Sequence, residues 1–347
     1  MTPARTRPPI ALSVLDQSVA VLGRGEDAAI RDTIALAQHC ERLGYHRFWV
    51  SEHHSLATIV GTAPEILMAA IAATTTRIRV GSAGVMLPHY SALKVAEQFR
   101  VLDAIAPGRI DLGVGRAPGS DMRTALALNP NAVHAAEAFP AQVRDLQAWV
   151  AGHALEGITA HPRADAAAAE AAAARVPQLW ILGSSDYGAQ LAAHLGLPYA
   201  FAYFFTDGQG ADVALDLYRE LYRPSPRHPQ PQATLCVWAL VADSDDAARH
   251  HALSRERWRV DRQRGVFGAL QSPEDVAARG FAADEQPVVE AMRRKAFVGS
   301  AATVGAQLRE LAARFALDEI VVNTWAADPA VRRRSYELLA TEFGLNA

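Results

Sequence analysis

Short apolar runs alternate along this chain with longer segments in which apolar residues recur at helical spacing. Ile78–Val80 and Ile110–Val114 are two such runs, bounded by Gly, Pro and Arg. Between them Val95, Phe99, Leu102 and Ile105 fall on one helical face, so the stretch predicts a strand–helix–strand unit. The same pattern predicts strands at Ile10–Leu15, His46–Val50, Gln178–Leu182, Tyr199–Ala202, Thr234–Val241 and Glu319–Asn323. Helices are predicted at Asp27–Leu43, closed by Gly44, and at Pro64–Thr75, opened by its proline. Others follow at His134–Val150, Gly188–Leu195, Ala211–Tyr222, Ser244–Val260, Ser300–Phe315 and Pro329–Phe343. That makes eight strands, each followed by a helix. Regular alternation of this kind argues for a parallel sheet, and eight units argue for an α/β fold of the (β/α)8 TIM-barrel type.

Three stretches depart from the pattern. Arg262–Arg294 is polar, contains Gly265, Gly268 and Gly280, and shows little period; it reads as an insertion or mobile lid before the last strand. Ala164–Ala174 is rich in alanine with no apolar face, and reads equally as an exposed helix or a frayed loop. Arg223–Gln232 is rich in proline but short, a loop entering a strand. None of these is a linker, so the 347 residues are read as one domain.

Composition narrows the function classes. A net charge of −3, with basic and acidic residues interleaved, gives no footprint for nucleic acid. No apolar run is long enough for a membrane helix, and no signal region precedes Ile10, which points to the cytoplasm. Cys40 and Cys236 each sit in an apolar periodic segment and read as buried free thiols. No Cys/His pair has metal-ligand spacing, so no metal is expected.

Candidate chemistry gathers where the predicted strands end, the side of an α/β barrel on which ligands bind. Ser82-Ala83-Gly84 follows one strand, small enough for a flat ligand to approach the backbone. Gly115-Arg116 follows the next and offers a guanidinium to an anion. Gly183-Ser184-Ser185 leads into a helix, where hydroxyls and free N–H groups can hold an anion or simply cap the helix. After the second strand stands Glu52-His53-His54. Adjacent side chains of an extended segment point opposite ways, so one imidazole at most is expected at the barrel mouth. Tyr203 and Trp325 follow later strands, and Trp325 reads as pocket wall or packing; Glu97 and Arg100 read as structural. No G-x-G-x-x-G follows a strand, so a dinucleotide site is not supported.

Several of these motifs carry a resemblance. S-E-H-H, V-G-S-A-G-V-M-L-P, A-E-Q-F-R-V-L-D, P-G-R-I-D-L-G-V-G-R and L-G-S-S, in this order, resemble the bacterial luciferase-like flavin-dependent monooxygenases, and the likeness runs from Ser13 to Leu345. It implies His53 as the catalytic histidine and a non-prolyl cis peptide at Ala83-Gly84 beneath a flavin ring. It implies a flavin-phosphate site from Arg116, Gly183, Ser184 and Ser185. By the same resemblance the cofactor is reduced FMN supplied by a separate flavin reductase. Oxygen then forms a C4a-peroxyflavin that oxidises a small organic substrate such as an aldehyde, a ketone or a secondary metabolite. A deazaflavin-dependent hydride-transfer enzyme on the same barrel and a non-catalytic flavin-binding protein are the alternatives. The resemblance also implies a homodimer and a mobile active-site loop before the last strand. The helix P-E-I-L-M-A-A-I-A-A, apolar nearly all round, supports a second burial partner.

Overall fold

The computed structural model describes residues 10–117, 119–163 and 176–345. The alternation read along the chain is realised as a closed barrel. Strands β1 (Ala11–Asp16), β2 (Arg47–Val50), β3 (Arg79–Met86), β4 (Ile110–Gly115), β5 (Gln178–Gly183), β6 (Tyr199–Phe201) and β7 (Ala233–Val241) pair in parallel in that order. The last strand, β9 (Glu319–Asn323), closes the ring between β7 and β1. These are the eight strands that the apolar runs predict. Helices α1 (Glu26–Arg42), α2 (Pro64–Thr74) and α3 (Ala92–Ile105) wrap the first half of the barrel. Gly44, φ +85°, ends the first helix in the left-handed conformation that suits glycine.

The core has two parts. Most apolar side chains pack between strands and helices, as Val80, Phe99, Leu102 and Leu112 do. A smaller set, including Leu15, Trp49, Trp180, Cys236 and Val321, fills the barrel interior, where Trp49 and Trp180 meet edge to face at 5.2 Å. Below them a buried ion cluster shuts the N-terminal end of the barrel. Arg47, the first residue of β2, reaches Asp111 and Glu319 at 2.8 Å each, and Arg79 reaches the same Asp111 at 2.5 Å. Trp49 Nε1 donates to that carboxylate as well. Two guanidinium groups beside Asp111 hold its pKa below the usual range despite burial. The barrel is therefore closed at one end, and its free space lies at the other.

The structure departs from the sequence expectation in its second half. The loop and helix expected across 117–150 hold three helices, α4 (Met122–Leu128), α5 (Ala132–Glu137) and α6 (Phe139–Val150). Asp121 caps the first of them and Pro140 stands at the start of the third. After β5 come α7 (Asp186–Leu195), α8 (Tyr203–Thr206) and α9 (Ala211–Glu220). A long helix α10 (Asp245–Gln263) follows β7.

The stretch 262–294, expected to be irregular, folds into two helices, α11 (Pro273–Arg279) and α12 (Gln286–Arg294). Ser272 Oγ accepts from Asp275 N and so starts the first. The second buries only Val289 and Met292, against Val260 and Phe281. One apolar pair is too short a repeat to register as a period. A ninth strand, β8 (Phe297–Gly299), was not expected; it pairs in parallel with the end of β7, Ala239 opposite Phe297. The segment then returns to the barrel through α13 (Ala301–Arg314), and α14 (Pro329–Phe343) ends the fold. No helix among the described residues is long and apolar enough to cross a membrane. The alanine-rich Ala164–Ala174 lies outside the described residues.

Candidate active site

A cavity of about 780 Å³ opens at the C-terminal ends of the strands. Its walls are aromatic and cationic. Trp325, after β9, and Trp258, on α10, meet edge to face at 4.7 Å. Trp238 of β7, Phe204 of α8 and Phe267, beyond α10, add further apolar surface. Gln17 anchors one corner, since its Oε1 accepts from Asn323 Nδ2 at 2.6 Å and from Trp325 Nε1 at 3.1 Å. Trp325 thus walls the cavity. Nothing in the sequence around Gln17 marks it, because its role depends on two residues of a strand end far along the chain.

His53 and His54 both line this cavity. The expectation that only one of them could do so fails because β2 ends at Val50, and strand alternation does not extend to these residues. They differ in their partners instead. His54 Nε2 is 2.8 Å from Glu52 Oε1. That buried carboxylate also accepts from Tyr90 Oη at 2.6 Å and from Met86 N at 2.9 Å. His53 is fixed at its backbone, N–H to the Gly61 carbonyl at 3.0 Å, and its Nδ1 lies 3.3 Å from Ser51 Oγ. Burial pulls the His53 pKa down to about 4; Glu52 opposes this, and His54 and Arg262 add to it. At neutral pH its imidazole is uncharged, able to donate from one nitrogen and accept at the other.

On the neighbouring strand β3, which pairs with β2 up to Val50 opposite Ser82, the Ala83–Gly84 peptide bond is cis. The register with β4 shifts there, from Ala83 opposite Gly113 to Val85 opposite Val114. Close packing explains the small residues. A Cβ on Gly84 would strike the Leu182 side chain and stand 2.7 Å from the Gly113 carbonyl oxygen. The backbone here is packed against β4 and β5 with no space for a side chain at Gly84, and neither Ala83 nor Gly84 is among the residues that line the cavity.

Arg116 lies at the end of β4, exposed, with its guanidinium carbon 3.9 Å above the centroid of the Tyr187 ring. Tyr187 belongs to the first turn of α7, which Ser184 and Ser185 precede. The three residues that the sequence singles out as anion donors thus stand beside one helix N-terminus. Ser185 occupies the capping position but forms no side-chain cap bond. Its carbonyl is held by Tyr199 Oη at 3.0 Å, and the Gly183 carbonyl accepts from Ala202 N at 2.8 Å. The loop is anchored from behind, and the N-terminus of α7 has no side-chain cap, an arrangement suited to an anion. Ala117, next to Arg116, already lines the cavity. Glu97 and Arg100 take no part. Arg100 donates to the carbonyls of Val150 and Pro162, and Glu97 lies near Lys94.

Sequence comparison agrees with this geometry. The family model described as luciferase-like monooxygenase matches residues 11–318. A luciferase-like monooxygenase of Escherichia coli is 37% identical over 95% of this chain and 96% of its own. An N-acetyl-S-alkylcysteine monooxygenase of Bacillus subtilis is 34% identical over 95% and 97%. Among solved structures, apo-MsnO8 superposes with a TM-score of 0.87 at 35% identity, covering 97% of this chain and 99% of that one.

Proposed function

Because the chain belongs to the luciferase-like monooxygenase family, we propose that this monooxygenase uses reduced FMN, delivered by a separate flavin reductase, to insert one oxygen atom of O2 into a small organic substrate. The observation that carries this reading is the pairing of an uncapped α7 N-terminus and Arg116 with an aromatic cavity that holds a neutral imidazole. The first suits a phosphate. The second suits a ring and a substrate beside it. Reduced flavin supplies the two electrons of the reaction, and the second oxygen atom leaves as water.

The protein's own part is positioning. Arg116, Ser184 and Ser185 hold the phosphate, with Gly183 setting the loop that presents them. Ala83 and Gly84, the latter in a position that admits no side chain, are the strand-end residues over which the ring would lie. His53, uncharged, holds a hydrogen bond or passes a proton at the reacting edge without importing a charge into the cavity. Trp238, Trp258 and Trp325 keep water from the reacting atoms. The B. subtilis relative's name adds thioethers to the substrates worth trying beside aldehydes and ketones.

The test is turnover with FMN, a flavin reductase and 18O2 over a panel of thioethers, aldehydes and ketones, read by mass spectrometry. A product carrying one 18O atom is expected. Oxygen-independent hydride transfer from a reduced deazaflavin, with no labelled product under FMN, would replace this reading.

A further inference from the structure

One side of the cavity is built by a single helix. Arg255, Trp258, Arg259 and Arg262 of α10 all line it. The cations are not equivalent. Arg259 is committed, with both its terminal nitrogens on the Asp207 carboxylate at 2.7 and 2.8 Å. Arg262 lies 5.3 Å over the Trp258 ring and is exposed. Arg255 is half-buried and stacks on Trp238, its guanidinium carbon 4.1 Å from the ring centroid. No acceptor among the described residues meets its N–H groups.

The carboxylates that could neutralise Arg255 are already engaged. Asp207 is held by Arg259, and Glu256, its neighbour in sequence, is held by Arg293 at 2.7 and 2.8 Å. Asp121, the one carboxylate among the described lining residues, caps α4. The indole beneath the guanidinium offers no acceptor either, since the Nε1–H of Trp238 is itself buried without a partner. Burial first, and then the Arg259 charge, draw the Arg255 pKa down to about 9, with Asp207 and Glu256 opposing more weakly. A protein does not ordinarily keep five N–H donors on an apolar wall without an acceptor.

We propose that Arg255 is the anchor of a substrate-carboxylate site, with Arg262 two turns further along the same helix face, so that this enzyme acts on organic acids whose apolar part lies among Trp258, Trp325 and Phe267. The planar guanidinium matches a carboxylate in geometry, and its placement on Trp238 fixes the plane in which the acid must lie. Aldehydes and ketones without an acid group would leave the charge unpaired, which selects against them. The proposal deepens the monooxygenase reading and rests on it only for the position of the reacting atom.

Calorimetry on the full chain, with and without FMN, compares N-acetyl-S-benzylcysteine with its neutral carboxamide. The acid is expected to bind about 10-fold tighter or more, the range of one charge-assisted hydrogen bond. Arg255→Ala should bring the ratio close to one, and Arg255→Lys should keep part of it. FMN affinity and the melting temperature should stay unchanged. The proposal is overturned by equal binding of acid and amide, by no heat from either at millimolar concentration, or by a ratio that survives Arg255→Ala. It is overturned too if Arg255→Ala weakens FMN but not riboflavin, because the guanidinium would then serve the cofactor phosphate. If Arg255→Ala does not fold, Arg255→Gln and Trp238→Phe supply the same comparison. A preserved acid preference with no 18O-labelled product from any substrate would instead remove the monooxygenase reading and leave the carboxylate site standing.

Discussion

Arg116 and Tyr187 are joined by a cation–π contact of 3.9 Å that links the end of β4 to the first turn of α7. The contact holds the guanidinium beside a helix N-terminus that has no side-chain cap and whose first turn carries the acidic Asp186. Arg116→Ala is expected to weaken FMN binding by about 10-fold or more, as loss of a charge-assisted hydrogen bond does. Riboflavin, which lacks the phosphate, should be almost indifferent to the change. Fluorescence titration of both flavins decides; equal weakening of the two refutes the phosphate assignment.

His53 and His54 separate by partner and not by direction. We expect His53→Ala to keep FMN affinity and lose product formation by about 10²–10⁴-fold, the range for a positioned acid or base. Hydrogen peroxide release should rise as oxygen consumption uncouples from product. His54→Ala is expected to act differently, by loosening Glu52 and with it the Met86 and Tyr90 contacts, so that stability falls more than coupling. An active, coupled His53→Ala enzyme would remove this histidine from the chemistry.

The same residue sets a pH signature. The His53 pKa in the fold, about 4, lies below the ordinary 6.5. Its contribution to stability is therefore complete above about pH 6.5 and is lost as pH falls from there through 4, since the unfolded chain takes up the proton first. Single-turnover rates should show no limb near 6.5 from this group. A limb there that disappears in His53→Asn would contradict the buried, neutral imidazole.

Arg257 and Glu285 hold the excursion after β7 together. The guanidinium donates twice to the carboxylate at 2.8 Å each, and Arg264 adds a contact at 2.7 Å. Hydrogen bonding to Arg257 pulls the Glu285 pKa down to about 2. The clamp is complete above about pH 4.5, the ordinary value, and is lost only as pH falls through 2. We propose that 262–294 is the mobile cover of the cavity and that this pair limits its opening. Glu285→Gln should speed tryptic cleavage at Arg262, Arg264 and Arg279 at neutral pH, and bound flavin with substrate should slow it. Cleavage first within 164–174, with 262–294 intact, would count against a cover here.

A homodimer is the expected assembly. Ile66 on α2 is 68% exposed, and Val101 and Ile105 on α3 are 49% and 48% exposed, an apolar surface on two adjoining helices. Light scattering at micromolar concentration should give twice the chain mass, and Ile66→Glu with Ile105→Glu should give the monomer. A monomeric wild-type chain would end this reading.

Much of this was legible in the residues. The eight barrel strands announce themselves because each is a short apolar run between Gly, Pro or charged residues, Ile110–Val114 being a clear case. The strand-end motifs were legible for the same reason, as the residues that follow such runs. Two kinds of feature were not. The buried Arg47–Asp111–Glu319 cluster joins residues far apart in sequence, and each alone looks like a solvated charge. Strand β8 is three residues long and depends on its register with β7, while α12 rests on Val289 and Met292 alone. Arg255 was hidden too, because a guanidinium without a partner looks in sequence like any other arginine of a charged helix.

Strand β7 has two allegiances. Its first half pairs with β9 and closes the ring; its last residues, Ala239–Val241, pair with β8. The chain therefore leaves the barrel and returns to it at neighbouring points, and everything between is an excursion that the ring does not need for closure. That excursion carries Arg255, Trp258, Arg262 and Phe267, whereas the proposed cofactor residues all lie between His53 and Ser185. Heredity can act on the two stretches separately. A recombination event that exchanges the piece between β7 and β8 would bring a new substrate preference to an unaltered redox engine, and grafting that piece between homologues is the corresponding route for engineering.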